Sequence, residues 1–441
     1  MTNPIPVPGS YNTFFPKSFK EIISFLTKTE NYTESQLKKV KGATVFKAHP
    51  GLPTIVLCNN ISAEFFFKAP DDLLEREDIQ RFGPVAPRQE LLKQSDTAIL
   101  SSGEIHHQSR GLIDGVISQR RDLIMPLFEK NCIEGIKQWP EQSSIPIEEG
   151  FQRLTIPFAF QWLLGVTPNI DDVLAWQKYI VVPKTDSTLT NFILNRLSKL
   201  PKEVVTSSER LTELVRSAPL FSEYMEQAKK QGFNNEDNVA RQLIFVCAFN
   251  MSAGISRFLL PSMVAISLNT EARTKLVAEL DAWDPEKTKL NDLPYLDAML
   301  DECMRLYPWP RFVHRKAHRD FILPAENGLQ YQIHKGDLLM TNMPYVHRDP
   351  TVFKNDPLIF RPERFIDDPS LKEKIFTFGW ANEQAGTYGC AGRGYAKHLW
   401  KLLVSQLCKH YTWQVRGANL SLNNTLDVAP EDTALEDFKL R

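Results

Sequence analysis

Covalent cross-links and one-sided charge are scarce in this chain of 441 residues. Its six cysteines, Cys58, Cys132, Cys247, Cys303, Cys390 and Cys408, lie far apart, and none forms a C-x-x-C pair. That spacing argues against a disulfide framework or a structural zinc site and points to a reducing compartment. The formal net charge is −1, so no global field draws in polyanions, and no nucleic-acid partner is expected. The opening "MTNPIPVPGSYNTFFPKSF" has no basic region followed by an apolar one. No signal peptide, transit peptide or anchor is expected there, which suggests a cytoplasmic or peripheral-membrane location. The longest apolar stretch, Leu243 to Leu268, contains Asn250, Arg257 and Pro261. A charged residue at bilayer depth is costly, so the stretch reads as a long buried central helix.

What is present suits a large core: 42% of residues are hydrophobic and 24% charged. No repeat or low-complexity linker divides the chain. Thr44 to Asn59 reads as two strands around a Pro-Gly turn, and a helix comes next with Asn60 or Ser62 as its cap. From about Ser102 to Leu268 the pattern is helical, with breaks expected at Pro140, Pro157 and Pro183. A further helix ends at Pro308. Strand-like segments come after it, with Gly336-Asp337 as a turn, then a Pro-rich coil, and a last helix after Cys390. The fold class is mainly α with a minor β region.

Cys390 sits alone in the Gly-rich run "TFGWANEQAGTYGCAGRG". A buried small residue, a nucleophile and a metal ligand all fit a lone cysteine. Three features upstream and around it bear on the choice. Glu302-x-x-Arg305 puts a carboxylate and a guanidinium on one helix face. Arg364 in "RPERF" is a fork donor able to bridge Glu302 and backbone carbonyls. Glycines flank Cys390, and a helix starting just after it supplies the positive potential a thiolate needs.

Taken in that order along the chain, these features resemble the haem-thiolate cytochrome P450 family, and the resemblance covers essentially the whole chain. It implies a cytochrome P450 fold with a single haem-thiolate domain over residues 1–441. Residues 1–43 would be a strap and first helix, 44–100 a small β-rich part and B–C region, and 101–441 a helical core with the haem-ligand loop at 376–396. The cofactor implied is haem b with Cys390 as the axial iron ligand, and Glu302, Arg305 and Arg364 would form a buried structural network. His106-x-x-x-Arg110 matches the pair that holds a haem propionate, and Arg315 matches a second propionate contact.

Family monooxygenases carry an acid–Thr pair in the central helix to relay protons to O2. "IFVCAFNMSAGISRFLLPSM" has none. Phe249-Asn250-Met251-Ser252-Ala253-Gly254, with Pro261 downstream, is similar instead to the branch of allene oxide synthases, hydroperoxide lyases and epoxyalcohol synthases. Trp380-Ala381-Asn382 and the twelve positions from Phe378 to Cys390 agree with that branch's lengthened loop. Tyr388 stands where most relatives have a basic residue, and Ala253 replaces the first glycine of the branch's Gly-Gly pair. The branch rearranges polyunsaturated fatty acid hydroperoxides by O–O homolysis at ferric haem, with neither O2 nor a reductase. The resulting alkoxyl radical closes to an epoxide and can end as an allene oxide, an epoxyalcohol or aldehydes. Asn250 is the expected catalytic residue, and Val85, Phe249 and Ser252 the expected substrate contacts. A lipid substrate leaves room for peripheral membrane contact. The alternatives are an O2- and reductase-dependent monooxygenase and a haem-binding or sensing protein without turnover.

Overall fold

In the computed structural model the described residues are 3–11, 17–50, 52–75, 103–180, 201–380, 389–420 and 432–441. They are mainly helical. Strands among them are Ile5–Pro6 (β1), Val45–Ala48 (β2), Thr54–Leu57 (β3), Leu74–Glu75 (β4), Ser144–Pro146 (β5), Phe312–Ala317 (β6), Phe321–Pro324 (β7), Gln330–Ile333 (β8), Leu338–Asn342 (β9), Tyr411–Arg416 (β10) and Ala434–Leu440 (β11). The chain groups into two compact units that interleave in sequence. One is Met1–Gly83, Val264–Arg393 and Asn419–Pro430; the other is Pro84–Met263, Gly394–Ala418 and Glu431–Arg441.

The first unit contains a five-stranded sheet ordered β2-β3-β9-β6-β4 and a three-stranded sheet ordered β1-β8-β7. β2 and β3 form the expected antiparallel hairpin. Every residue of β3 is buried because both faces are covered: Ile55 and Leu57 enter one apolar cluster and Val56 another. β3 pairs in parallel with β9, Ile55 opposite Leu339. A parallel partner cannot come from a tight turn, so it comes from far along the chain. Gly336, at a φ of 91°, marks a turn as expected. The turn does not make a hairpin: β8 on one side joins the three-stranded sheet and β9 on the other the five-stranded one.

The helix Asn60–Lys68 is capped one residue earlier than expected. Asn59 is extended and accepts the Ser62 N–H at 2.8 Å. Asn60 donates instead to Asp349 and to the Lys374 carbonyl. The helix Pro294–Leu306 begins with proline at its first turn. Both oxygens of Glu279 accept its orphan N–H groups, from Tyr295 and Leu296, each at 2.8 Å. That fixes the helix carrying Glu302 and Arg305.

The second unit holds the helices Gly103–Ile117, Ile147–Leu164, Ile170–Ile180 and Lys202–Arg216, with the sheet β10-β11-β5. Pro157 does not break its helix, which runs unbroken from Ile147 to Leu164. A mid-helix proline costs about 3 kcal/mol. The segment buries Phe151, Leu154, Ile156, Phe158, Phe160 and Trp162, each stabilising by about 1.5–3 kcal/mol, so packing wins. Pro140 does end a helical run, in the short turn Trp139–Glu141. Pro183 lies outside the described residues.

The central helix spans Glu236–Leu268 and is long and apolar enough to cross a membrane by length and composition. It is mostly buried within the protein. Arg257, the charge inside it, pairs with Glu148 at 3.2 Å.

Candidate functional site

In the first unit, Glu302 and Arg305 are fully buried, so this is no solvated surface pair. Arg305 grips Glu302 with two bonds, Nε to Oε2 at 2.7 Å and Nη2 to Oε1 at 2.8 Å. Arg364 adds its Nε at 3.2 Å, and the Arg361 backbone N–H donates at 2.7 Å. The remaining guanidinium protons go to carbonyls. Arg305 reaches those of His347, Pro357 and Ile359, and Arg364 those of Lys354, Asp356 and Ile359. A buried carboxylate is tolerable only when its lone pairs are occupied this fully. The network therefore staples the Pro-rich coil 347–364, which sequence alone showed as irregular, onto the Glu302 helix.

The chain then enters the cysteine loop. His347, wholly buried, accepts the Phe376 N–H through Nε2 at 2.9 Å. Burial first, then the nearby Arg305 charge, pushes its imidazole down to about 3. Thr377 donates to the Met304 carbonyl at 3.0 Å. Gly379, at a φ of 68°, turns back to the Phe376 carbonyl. The Cys390 N–H closes onto the Phe378 carbonyl at 2.9 Å, and Arg393 N–H onto that of Cys390 at 3.2 Å. Trp380, the first residue of the Trp-Ala-Asn run, lies under the Lys68 ammonium at 4.1 Å. Residues 381–388, including Tyr388, lie outside the described residues.

Of the six cysteines only Cys390 is exposed. Burial pushes up the thiols of Cys58, Cys132 and Cys247, which makes them poor thiolates. Gly392 leaves the Cys390 sulfur uncovered, since a Cβ there would stand 3.8 Å from it. The C-terminal helix Arg393–His410 starts three residues on, where its amides favour a negative sulfur. Among the described residues no three His, Cys, Asp or Glu side chains converge on a possible ion.

Arg315 is held by backbone as well as by charge. It is buried, and it donates to the backbone carbonyls of Phe66, Ala69 and Leu74, with Asp71 at 3.7 Å. The guanidinium ties the Asn60–Lys68 helix and β4 to β6. His314, next along the strand, points to the opposite face, and burial lowers its imidazole to about 4.

In the second unit, the central helix is π-helical from Phe245 to Ala253. Asn250 is exposed in the middle of this segment, between the half-buried Phe249 and Met251. A mid-helix asparagine commonly bonds the preceding turn. Among the described residues nothing bonds the Asn250 amide. Phe249 is half-buried and tilts against Phe245, with 4.8 Å between ring centroids.

Ser252 follows two residues after Asn250. It is fully buried, with its hydroxyl 3.2 Å from that of Thr155 and 3.4 Å from the Gln177 amide. These bonds tie the central helix to the helices carrying Thr155 and Gln177. In an α-helix a residue three after Phe249 would share its face; the wider π turn carries it away. Val85 lies outside the described residues. On the helix Gly103–Ile117, His106 is buried, while Arg110 is half-exposed and pairs with Asp114 at 2.9 Å.

The cytochrome P450 family model matches residues 198–429, over half of the chain. The chain belongs to the cytochrome P450 family. Solved structures agree on the fold: a retinoic acid bound cyanobacterial CYP120A1 superposes with a TM-score of 0.74 at 17% identity, covering both chains fully. Among curated relatives, the epoxyalcohol synthase CYP5164B1 of Ectocarpus siliculosus is 27% identical, over 96% of this chain and 93% of its own. A mitochondrial hydroperoxide bicyclase of Plasmodiophora brassicae, CYP50918A1, is 29% identical over 85% of this chain and 71% of its own. The chloroplastic allene oxide synthase 2 of Solanum lycopersicum is 23% identical over 92% and 86%. Membership brings haem as cofactor with a cysteine thiolate on the iron, and in this cytochrome P450 the exposed Cys390, just ahead of a helix start, fits that role. Sequence reasoning missed His347, Thr377, Glu279 and Gln177. Each acts over a long sequence separation, and no local spacing announces it.

Proposed function

We propose that this cytochrome P450 rearranges polyunsaturated fatty acid hydroperoxides without O2 or a reductase. The observation that carries the reading is Asn250: an amide with no partner among the described residues, exposed on the π turn of a central helix that lacks an acid–Thr relay. The names of the relatives, epoxyalcohol synthase, hydroperoxide bicyclase and allene oxide synthase, agree with it.

Cys390 would hold the haem, and His106 and Arg110 would bind a propionate. When bound, the haem supplies homolytic cleavage of the substrate's weak O–O bond. The chain's own residues do the rest. The Asn250 amide N–H donates to the peroxy oxygens, while its carbonyl accepts the hydroperoxide proton. An amide releases no proton of its own, so it orients the substrate without the relay that O2 chemistry needs. Phe249, beside it, offers an apolar surface to the acyl chain. A membrane surface would be the natural source of such a substrate.

The test mixes purified, haem-loaded protein with a polyunsaturated fatty acid hydroperoxide, with neither NADPH nor reductase. Rapid loss of conjugated-diene absorbance is expected. Turnover only after a reductase is added would instead mark a monooxygenase. A thiolate-type carbon monoxide spectrum without turnover in either condition would mark a haem-binding protein.

A further inference from the structure

A π-helical turn is uncommon and needs support from outside the helix. We propose that Gln177 is the positioning residue that holds the turn Phe245–Ala253 open and so fixes the presentation of Asn250. The proposal rests on the role given to Asn250 above.

Gln177 comes from the helix Ile170–Ile180 and is buried. Its Nε2 donates to the Ala248 carbonyl at 2.6 Å and to the Ser252 hydroxyl at 3.4 Å. Ala248 and Ser252 are four residues apart. In an α-helix the Ser252 N–H would itself donate to the Ala248 carbonyl. One side-chain amide thus bridges the pair whose α-helical bond the π turn leaves unmade. The π register is explicit just beyond, where the Gly254 N–H donates to Phe249, five residues back. A side chain at Gly254 would crowd that carbonyl at 3.4 Å.

The protons around the node run in one direction. Thr155 gives its hydroxyl hydrogen to the Phe151 carbonyl at 2.9 Å. It must then accept from Ser252 at 3.2 Å, which leaves the Ser252 oxygen to accept from Gln177. Turning the Gln177 amide over would set its oxygen against the Ala248 carbonyl, acceptor against acceptor, so the orientation is fixed by chemistry. The support is itself anchored. Asp172, on the same helix, accepts from Ser207 and from Arg210 Nε, each at 2.9 Å. Those bonds, Arg210 first, hold its carboxyl below the usual range.

Without the bridge the segment is free to relax to α-helical bonding. Taking up one residue rotates the downstream part of the helix by about 100°, and Asn250 loses its fixed direction. Gln177→Met keeps the volume and removes both donors. On the holoenzyme it is expected to lower kcat roughly 10-fold with KM little changed, as misplacement near a reacting group does. Haem content and the carbon monoxide spectrum stay as in the parent, and amide hydrogen exchange across 245–256 speeds up. Gln177→Glu adds a readout that lost packing would not give. The carboxylate repels the Ala248 carbonyl at neutral pH and regains an O–H donor when protonated, so its turnover should recover as pH falls.

Parent-like exchange in Gln177→Met overturns the proposal whatever the turnover. Faster exchange with parent turnover also overturns it, and Asn250→Ala measured alongside tells whether the fault lies in the clamp or in the role of Asn250. If Gln177→Met fails to load haem, Gln177→Glu decides: turnover that does not recover toward acid overturns the proposal.

Discussion

Two buried polar clusters, one in each unit, are built to opposite plans. Around Glu302 two guanidiniums, a carboxylate and a backbone N–H are tied to at least five backbone carbonyls. Around Ser252 the members are a neutral amide and three hydroxyls, those of Thr155, Ser252 and Ser256. Charge-assisted bonds in a dry interior are strong, and losing one partner strands the other. Neutral bonds contribute about 1 kcal/mol each, so they can set a local geometry without carrying much of the stability. The first cluster therefore secures chain segments, and the second shapes a backbone turn.

The comparison breaks most directly at Glu302. Glu302→Ala leaves two buried guanidiniums without their anion and should cost about 3–5 kcal/mol. Chemical denaturation would register it, along with poor haem loading; a loss below about 1 kcal/mol would put this network on the same energy scale as the other. Asn250→Ala sharpens the contrast from the other side. It should leave the denaturation midpoint and haem content near the parent while lowering hydroperoxide turnover about 100-fold, the usual cost of removing one well-placed donor. Unchanged turnover would take Asn250 out of the mechanism.

The smallest effect is a pH slope. The His347 imidazole titrates near 3 in the folded protein, against about 6.5 in an unfolded chain. Between those values the unfolded state binds the extra proton, so stability is full above about pH 6.5 and falls as pH drops. The loss by about pH 5 is about 2 kcal/mol. Denaturation at stepped pH should show that slope, and His347→Gln should flatten it. A slope that survives the substitution would assign it to other groups.

Much of the first cluster is legible in the sequence because its residues sit in short local patterns, Glu302 with Arg305 and Arg364 within a Pro-flanked turn, and the same holds for Cys390 in its Gly-rich run. The departures share a cause too. A helical period of about 3.6 residues sets Ser252 beside Phe249, and the π turn does not obey it. No local residue pattern encodes that turn, because its prop, Gln177, lies far upstream. Arg315 reads as an anion contact in sequence, and no local pattern announces the backbone carbonyls of Phe66, Ala69 and Leu74 that it also reaches. Pro157 looks like a breaker because proline's cost is local and the burial that outweighs it is not.

The switch of sheets at Gly336 has a consequence for synthesis. β1 awaits β8 and β3 awaits β9, so the N-terminal strands are made long before their partners. Some 280 residues separate Ile55 from Leu339. At roughly 5–20 residues per second on the ribosome, that is about 14–57 s during which apolar strands stay unpaired. The nascent chain carries an open β edge through most of its translation, and shielding that edge until residue 342 emerges is a task for the cell rather than for the fold.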